Sequence, residues 1–167
     1  ASLPPAYFHL PTIEGLVTFY SQVAEASALP VLAYNIPSRL PLNLDTQTFE
    51  RLIQIPGVIG LKDSSGDLYQ ITLTAMLNEG KIVVFNGEDG ALWYGLMAGC
   101  VGGIGSTYPV MPHLFVDLYR AFKTGDLKLG LKLQRQINVI IREVLKFNIL
   151  AAAKQILKWL DLDCGDP

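Results

Sequence analysis

Pro56-Gly57-Val58-Ile59-Gly60-Leu61-Lys62-Asp63-Ser64-Ser65-Gly66-Asp67 is an apolar run that stops at a lysine and passes straight into a polar cluster. The run predicts a buried strand and the cluster the loop that leaves it. A charged lysine at the end of a buried strand is costly, because burial disfavours the ammonium. A neutral lysine amine is a nucleophile for carbonyl carbon, which is Schiff-base chemistry. The alternative reading is a lysine that snorkels its head to water past the strand end.

Upstream, Leu29-Pro30-Val31-Leu32-Ala33-Tyr34-Asn35-Ile36-Pro37-Ser38-Arg39 is a second short apolar run ending in polar residues and proline. It predicts a strand with Tyr34 near its carboxyl end. Between the runs, residues 44–54 have helix character, with Leu44, Phe49, Leu52 and Ile53 on one face and Asp45 or Asn43 as the cap. Strand, helix, strand is a βαβ unit, and it places Tyr34 and Lys62 at the same end of neighbouring parallel strands. A phenol beside an amine there is a candidate proton-relay pair.

The alternation continues. Helices are expected over 12–27, 68–78 (closed by Glu79-Gly80) and 91–98, and strands over 81–85 and 100–105. After Tyr108 the pattern turns helical: 112–123, a turn at Thr124-Gly125-Asp126, then 127–147 and 151–160. Four strands with polar residues at their carboxyl ends and helices between them predict an α/β fold with a parallel sheet. A doubly wound open sheet and a (β/α)8 barrel both satisfy this pattern.

Composition narrows the function classes. The chain has 167 residues, half of them apolar and 17% charged, with a net charge of −2. It has no basic block, so nothing points to nucleic acid or an anionic membrane. No apolar stretch is long enough to span a bilayer, and no basic, then apolar, leader opens the chain. Cys100 and Cys164 lack CxxC spacing and read as free thiols of a reducing compartment. His9 and His113 have no ligand-like neighbours, so no metal site is expected. Gly103-Ile104-Gly105 lacks the third glycine of a dinucleotide motif.

YNIPSR (34–39), GLKDSSGDLYQ (60–70), NGEDG (86–90) and GGIGSTY (102–108) resemble the pyruvate-dependent class I aldolase family of N-acetylneuraminate lyase and dihydrodipicolinate synthase. The resemblance runs over essentially the whole chain. Its specificity lies in the set: a strand-end Tyr and a strand-end Lys 28 positions apart, with the two later loops in order. It implies a (β/α)8 barrel with extra C-terminal helices. A full barrel takes roughly 250 residues. The chain therefore reads as the C-terminal part of a barrel, strands five to eight, over 1–110, with a helical extension of the same domain over 111–167. The resemblance implies a start in the loop Leu3-Pro4-Pro5-Ala6-Tyr7 after the fourth strand, so the N-terminal strands, with the glycine-threonine motif that holds the pyruvate carboxylate, are expected to lie outside it. Val58, Val83 and Ile104 are expected to face the barrel interior, and the unpaired sheet edges of a partial barrel favour association.

The resemblance also implies roles. Lys62 attacks the keto carbon of pyruvate or another 2-keto acid, and Tyr34 moves the proton at the carbon–carbon bond being made or broken. Gly105 leaves room for the bound keto acid. Ser64, Gly87, Asp89 and Ser106 match positions that bind a polyol tail, and Arg39 matches a synthase residue that binds a substrate carboxylate. Turn or cap roles stand beside these: Asn86 to Gly90 as a strand-ending turn, Ser106 as a helix cap, Arg39 as a surface charge. The loop motifs after the second, third and fourth strands lean to the lyase branch, and Pro37-Ser38-Arg39 to the synthase branch. Leu40-Pro41 departs from the threonine-glycine pair common after that arginine, and Gly90 replaces an acidic residue of the lyase. The implied activity is a cytoplasmic carbon–carbon lyase of N-acetylneuraminate lyase type, with dihydrodipicolinate synthase or a 2-keto-3-deoxy sugar-acid aldolase as alternatives. It needs no cofactor, takes a small 2-keto acid, and works in the complete protein as a dimer or tetramer of like chains. A non-catalytic half-barrel is the alternative of another class.

Overall fold

Residues 1–6 and 9–166 are described by the structure, a computed structural model. Tyr7 of the expected entry loop lies outside the described residues. The chain forms two compact units, one made of Ala1–Glu88 and Tyr94–Gly103, the other of Asp89–Trp93 and Ile104–Pro167.

In the first unit helices and strands alternate: α1 (Ile13–Ala26), β1 (Val31–Asn35), α2 (Thr46–Leu52), β2 (Val58–Asp63), α3 (Leu68–Met76), β3 (Val83–Asn86), α4 (Leu92–Met97, its first two residues in the second unit) and β4 (Gly102–Gly103). The strands pair in sequence order, β1-β2-β3-β4, and every pairing is parallel. The helix starts follow from side-chain caps. Thr12 Oγ1 accepts from Gly15 N–H at 3.1 Å, Asp45 Oδ1 from Thr48 N–H at 2.8 Å, and Asp67 Oδ1 from Gln70 N–H at 3.1 Å.

The sheet buries one row of side chains under these helices. Ala33, Leu61 and Val84, one from each of the first three strands, pack with Leu16, Tyr20, Phe49, Leu52 and Ile71. Each of the larger apolar side chains so buried contributes about 1.5–3 kcal/mol over its exposed state. Tyr20 is fully buried, and its hydroxyl donates to the Ser2 carbonyl at 2.9 Å. Ser2 in turn extends the sheet order past β1 through a parallel bridge to Ala33, accepting from Tyr34 N–H at 2.9 Å.

Several sequence expectations shift. Leu44 is buried ahead of α2 rather than on it, because Asp45 starts the helix and Leu44 N–H is taken by the Asn35 side chain. The strand expected from Lys81 starts at Val83, since Lys81 N–H closes the preceding turn on the Asn78 carbonyl. The last strand has two residues instead of six: glycine offers the ladder no side chain to pack. Val58 does not point away from the helices. The register skips Ile59 between the pairs Val31↔Val58 and Leu32↔Gly60, so Val58 joins the helix-side core and Ile59 is left exposed.

The second unit carries the helical tail: α5 (Pro112–Thr124), α6 (Leu127–Val144) and α7 (Ile149–Trp159). α5 ends at Gly125, whose φ of 73° is the left-handed cap conformation, and Asp126 then caps α6 through Leu129 N–H at 2.9 Å. Trp93 lies against Gly130 of α6, where an added Cβ would come within 2.0 Å of the indole, and edge-on to Phe122. The buried Gln134 fixes this packing by accepting from Trp93 N–H at 2.7 Å and donating to the Asp89 carbonyl at 3.3 Å.

Candidate active site

Parallel pairing brings the two reactive candidates of the first unit side by side. Tyr34 of β1 is the register partner of Lys62 of β2, and Lys62 is in turn the partner of Phe85 of β3. All three are half-buried. By strand alternation they share the face that also carries Leu32, Gly60 and Val83, opposite the helix-side core. The Lys62 Nζ lies 4.1 Å from the centre of the Tyr34 ring. The ring face attracts the cationic form of the amine and holds its long side chain toward β1.

The loop leaving β2 is built by a relay of short polar side chains. Asp63 Oδ1 accepts from Ser65 N–H at 2.8 Å, Ser65 Oγ accepts from Asp67 N–H at 3.1 Å, and Asp67 opens α3. Gln70 of α3 then accepts from the Thr46 hydroxyl at 2.8 Å, which ties this loop to α2. Ser64 sits inside the relay. Its residue is buried, and its hydroxyl has no hydrogen-bond partner among the described residues. Gly87 abuts it: a Cβ on Gly87 would lie 2.0 Å from Ser64 Oγ, and Gly87 N–H donates to the Asp63 carbonyl at 2.6 Å. Glycine is therefore required where β3 ends, and the two predicted residues Ser64 and Gly87 are neighbours. Arg39 stands in the turn after β1, its N–H bonded to the Ile36 carbonyl at 3.0 Å and its side chain exposed.

In the second unit Asp89 is held by Thr107, whose N–H and hydroxyl donate to Oδ2 at 2.7 and 2.5 Å. The other carboxylate oxygen lies over Gly105, where a Cβ would come within 1.5 Å of it and 2.6 Å of the Tyr108 ring. Gly105 thus makes room for the Asp89 carboxylate. Ser106 is exposed and caps no helix; residue 111 stands at the start of α5 without a side-chain cap. Among the described residues no group of His, Cys, Asp and Glu is arranged to hold a metal ion, and no helix is long and apolar enough to cross a membrane.

A profile of the dihydrodipicolinate synthetase family matches residues 1–167. The chain belongs to this family. It is 32% identical over 162 residues to N-acetylneuraminate lyase of Escherichia coli, a match covering 97% of this chain and 54% of that protein. Among solved structures it is similar to the catalytic-lysine mutant of Ruminococcus gnavus sialic acid aldolase, with 30% identity, a TM-score of 0.88, and coverage of 94% of this chain and 52% of that one. It is also similar to the chloride-inhibited dihydrodipicolinate synthase of Acinetobacter baumannii complexed with pyruvate, with 28% identity, a TM-score of 0.85, and coverage of 96% and 55%. The chain spans about half the length of the curated relatives it matches. The parallel sheet and this likeness make the fold that of a partial (β/α)8 barrel with C-terminal helices.

Sequence reasoning missed three groups that hold these family positions. Asn35 and Asp63 lie buried directly behind Tyr34 and Lys62, and Thr107 orients Asp89. Asn and Asp inside strands, where both types are depleted, are the signal that was available for the first two. Thr107 follows Ser106 in an otherwise polar loop and carries no distinguishing signal.

Proposed function

We propose that the protein carrying this chain is a Schiff-base carbon–carbon lyase in which Lys62 is the nucleophile. The observation that carries this reading is the register pair Tyr34↔Lys62 with the amine 4.1 Å from the phenol ring centre. The amine adds to the keto carbon of pyruvate or a 2-keto sugar acid and loses water to form an imine. The protonated imine draws electrons from the adjacent carbon–carbon bond, and Tyr34 moves the proton that accompanies cleavage or formation. Similarity to a sialic acid aldolase described by its catalytic lysine supports placing that role on a family lysine.

In this reading Ser64, Gly87, Asp89 and Ser106 are each given to the polyol tail, Gly105 to space for the keto acid, and Arg39 to a substrate carboxylate. The neighbouring Ser64 and Gly87 at the ends of β2 and β3 support a hydroxyl-bearing substrate over an apolar one. An N-acetylneuraminate lyase-like sugar-acid substrate therefore comes first. Dihydrodipicolinate synthase chemistry is the second reading, favoured by the exposed Arg39 at the end of the Tyr34 segment. The protein would act without a cofactor, in the cytoplasm, as an oligomer of like chains. The alternative of another class is a half-barrel without catalysis.

Borohydride reduction in the presence of pyruvate tests the reading. A reduced pyruvyl adduct on Lys62, found by peptide mass spectrometry, is expected. An unmodified Lys62 in a protein that is folded and contains this chain in full overturns it, and leaves the non-catalytic account.

A further inference from the structure

We infer that Asn35 and Asp63 are a positioning pair that holds Lys62 beside Tyr34; the inference rests on the imine-forming reading of Lys62. Each is the next residue after a reactive one, and the two are themselves register partners at the last rung of the β1–β2 ladder. Their side chains point to the helix side, opposite Tyr34 and Lys62, and are only 2% and 3% exposed.

Every hydrogen-bonding group of the Asn35 side chain is used. Its Nδ2 donates to Asp63 Oδ2 at 2.9 Å and to Asn43 Oδ1 at 2.8 Å, and its Oδ1 accepts from Leu44 N–H at 2.9 Å. Its carbonyl accepts from Ser64 N–H at 2.8 Å. The second Asp63 oxygen accepts from Ser65 N–H at 2.8 Å and from the Ser65 hydroxyl at 2.5 Å. The Asp63 carbonyl takes Gly87 N–H, which carries the lock to β3.

The β1–β2 ladder closes with the Ser64 N–H to Asn35 carbonyl bond, and a side-chain bridge across this last rung holds the two strand ends together where no further rung follows. Tyr34 and Lys62 are joined by one peptide bond each to this bridge, so the bridge sets their lateral distance. The chemistry of the pair is specific. Asp63 must accept from two directions, through Oδ2 and through Oδ1, and a carboxylate has acceptors at both ends. An amide in its place has one oxygen and turns an NH2 toward either Asn35 Nδ2 or Ser65 N–H.

Exchange of the two residues preserves the pattern. In the double variant Asn35→Asp with Asp63→Asn, the new carboxylate accepts from Leu44 N–H, from the new amide and from a flipped Asn43. The new amide oxygen still accepts from Ser65 N–H. A group that merely satisfied buried polarity would restore stability on exchange, whereas a positioning pair also restores the reactivity of Lys62.

The test is the rate of borohydride trapping of pyruvate on Lys62 in the full-length gene product, measured well below the thermal midpoint of each variant. Asp63→Asn and Asn35→Asp are each expected to slow trapping about tenfold or more, since ångström-scale misplacement of a reacting group costs up to about 10²-fold. The exchanged double variant is expected to recover most of the rate. Asn43 is exposed, so Asn43→Ala keeps the fold, and it should give a smaller slowing. Single variants that trap at the unsubstituted rate overturn the inference. So does a double variant that regains its thermal midpoint but not its trapping rate. Should the single variants fail to fold, an unchanged rate in Asn43→Ala overturns it. If the unsubstituted protein traps no pyruvate, it is the imine reading itself that fails.

Discussion

Tyr34, Lys62 and Phe85 lie side by side on one face of the sheet, and Asn35, Asp63 and Asn86, each the next residue along the same strands, lie side by side on the other. The first row is half-buried, and among the described residues its side-chain polar contact is the amine over a ring. The second row is buried to within 3% and engaged in hydrogen bonds to side chains, loops and backbone. Strand alternation alone separates the two rows. A flexible lysine is thereby placed without being immobilised. The bonds that fix its backbone are spent on the far face, leaving the near face free to meet a ligand. Rigid support behind an adaptable reactive group is the arrangement that precise positioning requires.

The largest effect is expected at Lys62. In the full-length protein Lys62→Arg is expected to abolish turnover, to below about one per cent, because a guanidinium stays protonated and forms no imine. The fold should survive, as the side chain is half-buried and its contact among the described residues is the Tyr34 ring. Steady-state turnover together with far-UV circular dichroism checks both halves of the statement. Turnover that persists would move the chemistry off this row altogether.

Tyr34→Phe sharpens the same row. It keeps the ring under the amine and removes only the hydroxyl, so imine trapping should remain while carbon–carbon cleavage or formation slows roughly 10²-fold, a usual proton-transfer contribution. Equal turnover in the two proteins would leave Tyr34 a packing partner only.

The near row was legible in the sequence and the far row was not, for physical reasons. An apolar run that ends in Tyr or Lys announces a strand end, and the 28-residue βαβ spacing sets the two strand ends beside each other. The α/β alternation, the cap at Asp45 and the turn at Gly125 follow from local rules, and all appear where expected. The far row depends on tertiary neighbours. Nothing local says that Asn43, read as a possible cap, instead accepts from Asn35, or that Asp63 reaches across to β1. The facing of Val58 was misread because a period-two count cannot see the register skip at Ile59. The placement of the Asp89 carboxylate over Gly105 is not legible either, because it involves Thr107, eighteen positions from Asp89.

On the far row, Asn86→Ala should cost stability rather than chemistry. Asn86 Nδ2 donates to the Glu88 carbonyl at 2.7 Å, and its side chain packs so tightly on Gly95 that a Cβ there would lie 2.7 Å from Oδ1. Removing it forfeits that hydrogen bond, at about 0.5–1.5 kcal/mol, together with the packing against Gly95. Urea unfolding reads this loss. A change within about 0.5 kcal/mol, the range of ordinary surface substitutions, would show that the far row is not uniformly structural.

The smallest effect lies beneath that row, at Cys100. Its burial, and secondarily the negative Asp63, push the thiol up from 9.0 to about 12. Burial also raises the phenol of Tyr20 in the same core. A raised folded-state value means that the folded protein holds the proton more tightly than the unfolded chain. The stabilisation is therefore complete below about pH 9, and it is lost as the pH rises from there toward about 12. At about pH 8 an alkylating reagent should label the exposed Cys164 and spare Cys100 until the protein is unfolded, because the thiolate is the reactive form. Cys100→Ser removes a group whose deprotonation favours alkaline unfolding. Its stability, compared with that of the unsubstituted protein by urea denaturation, should fall less steeply between pH 9 and about 12. Equal slopes would mean that Cys100 does not feel the burial and the Asp63 charge that the far row sets above it.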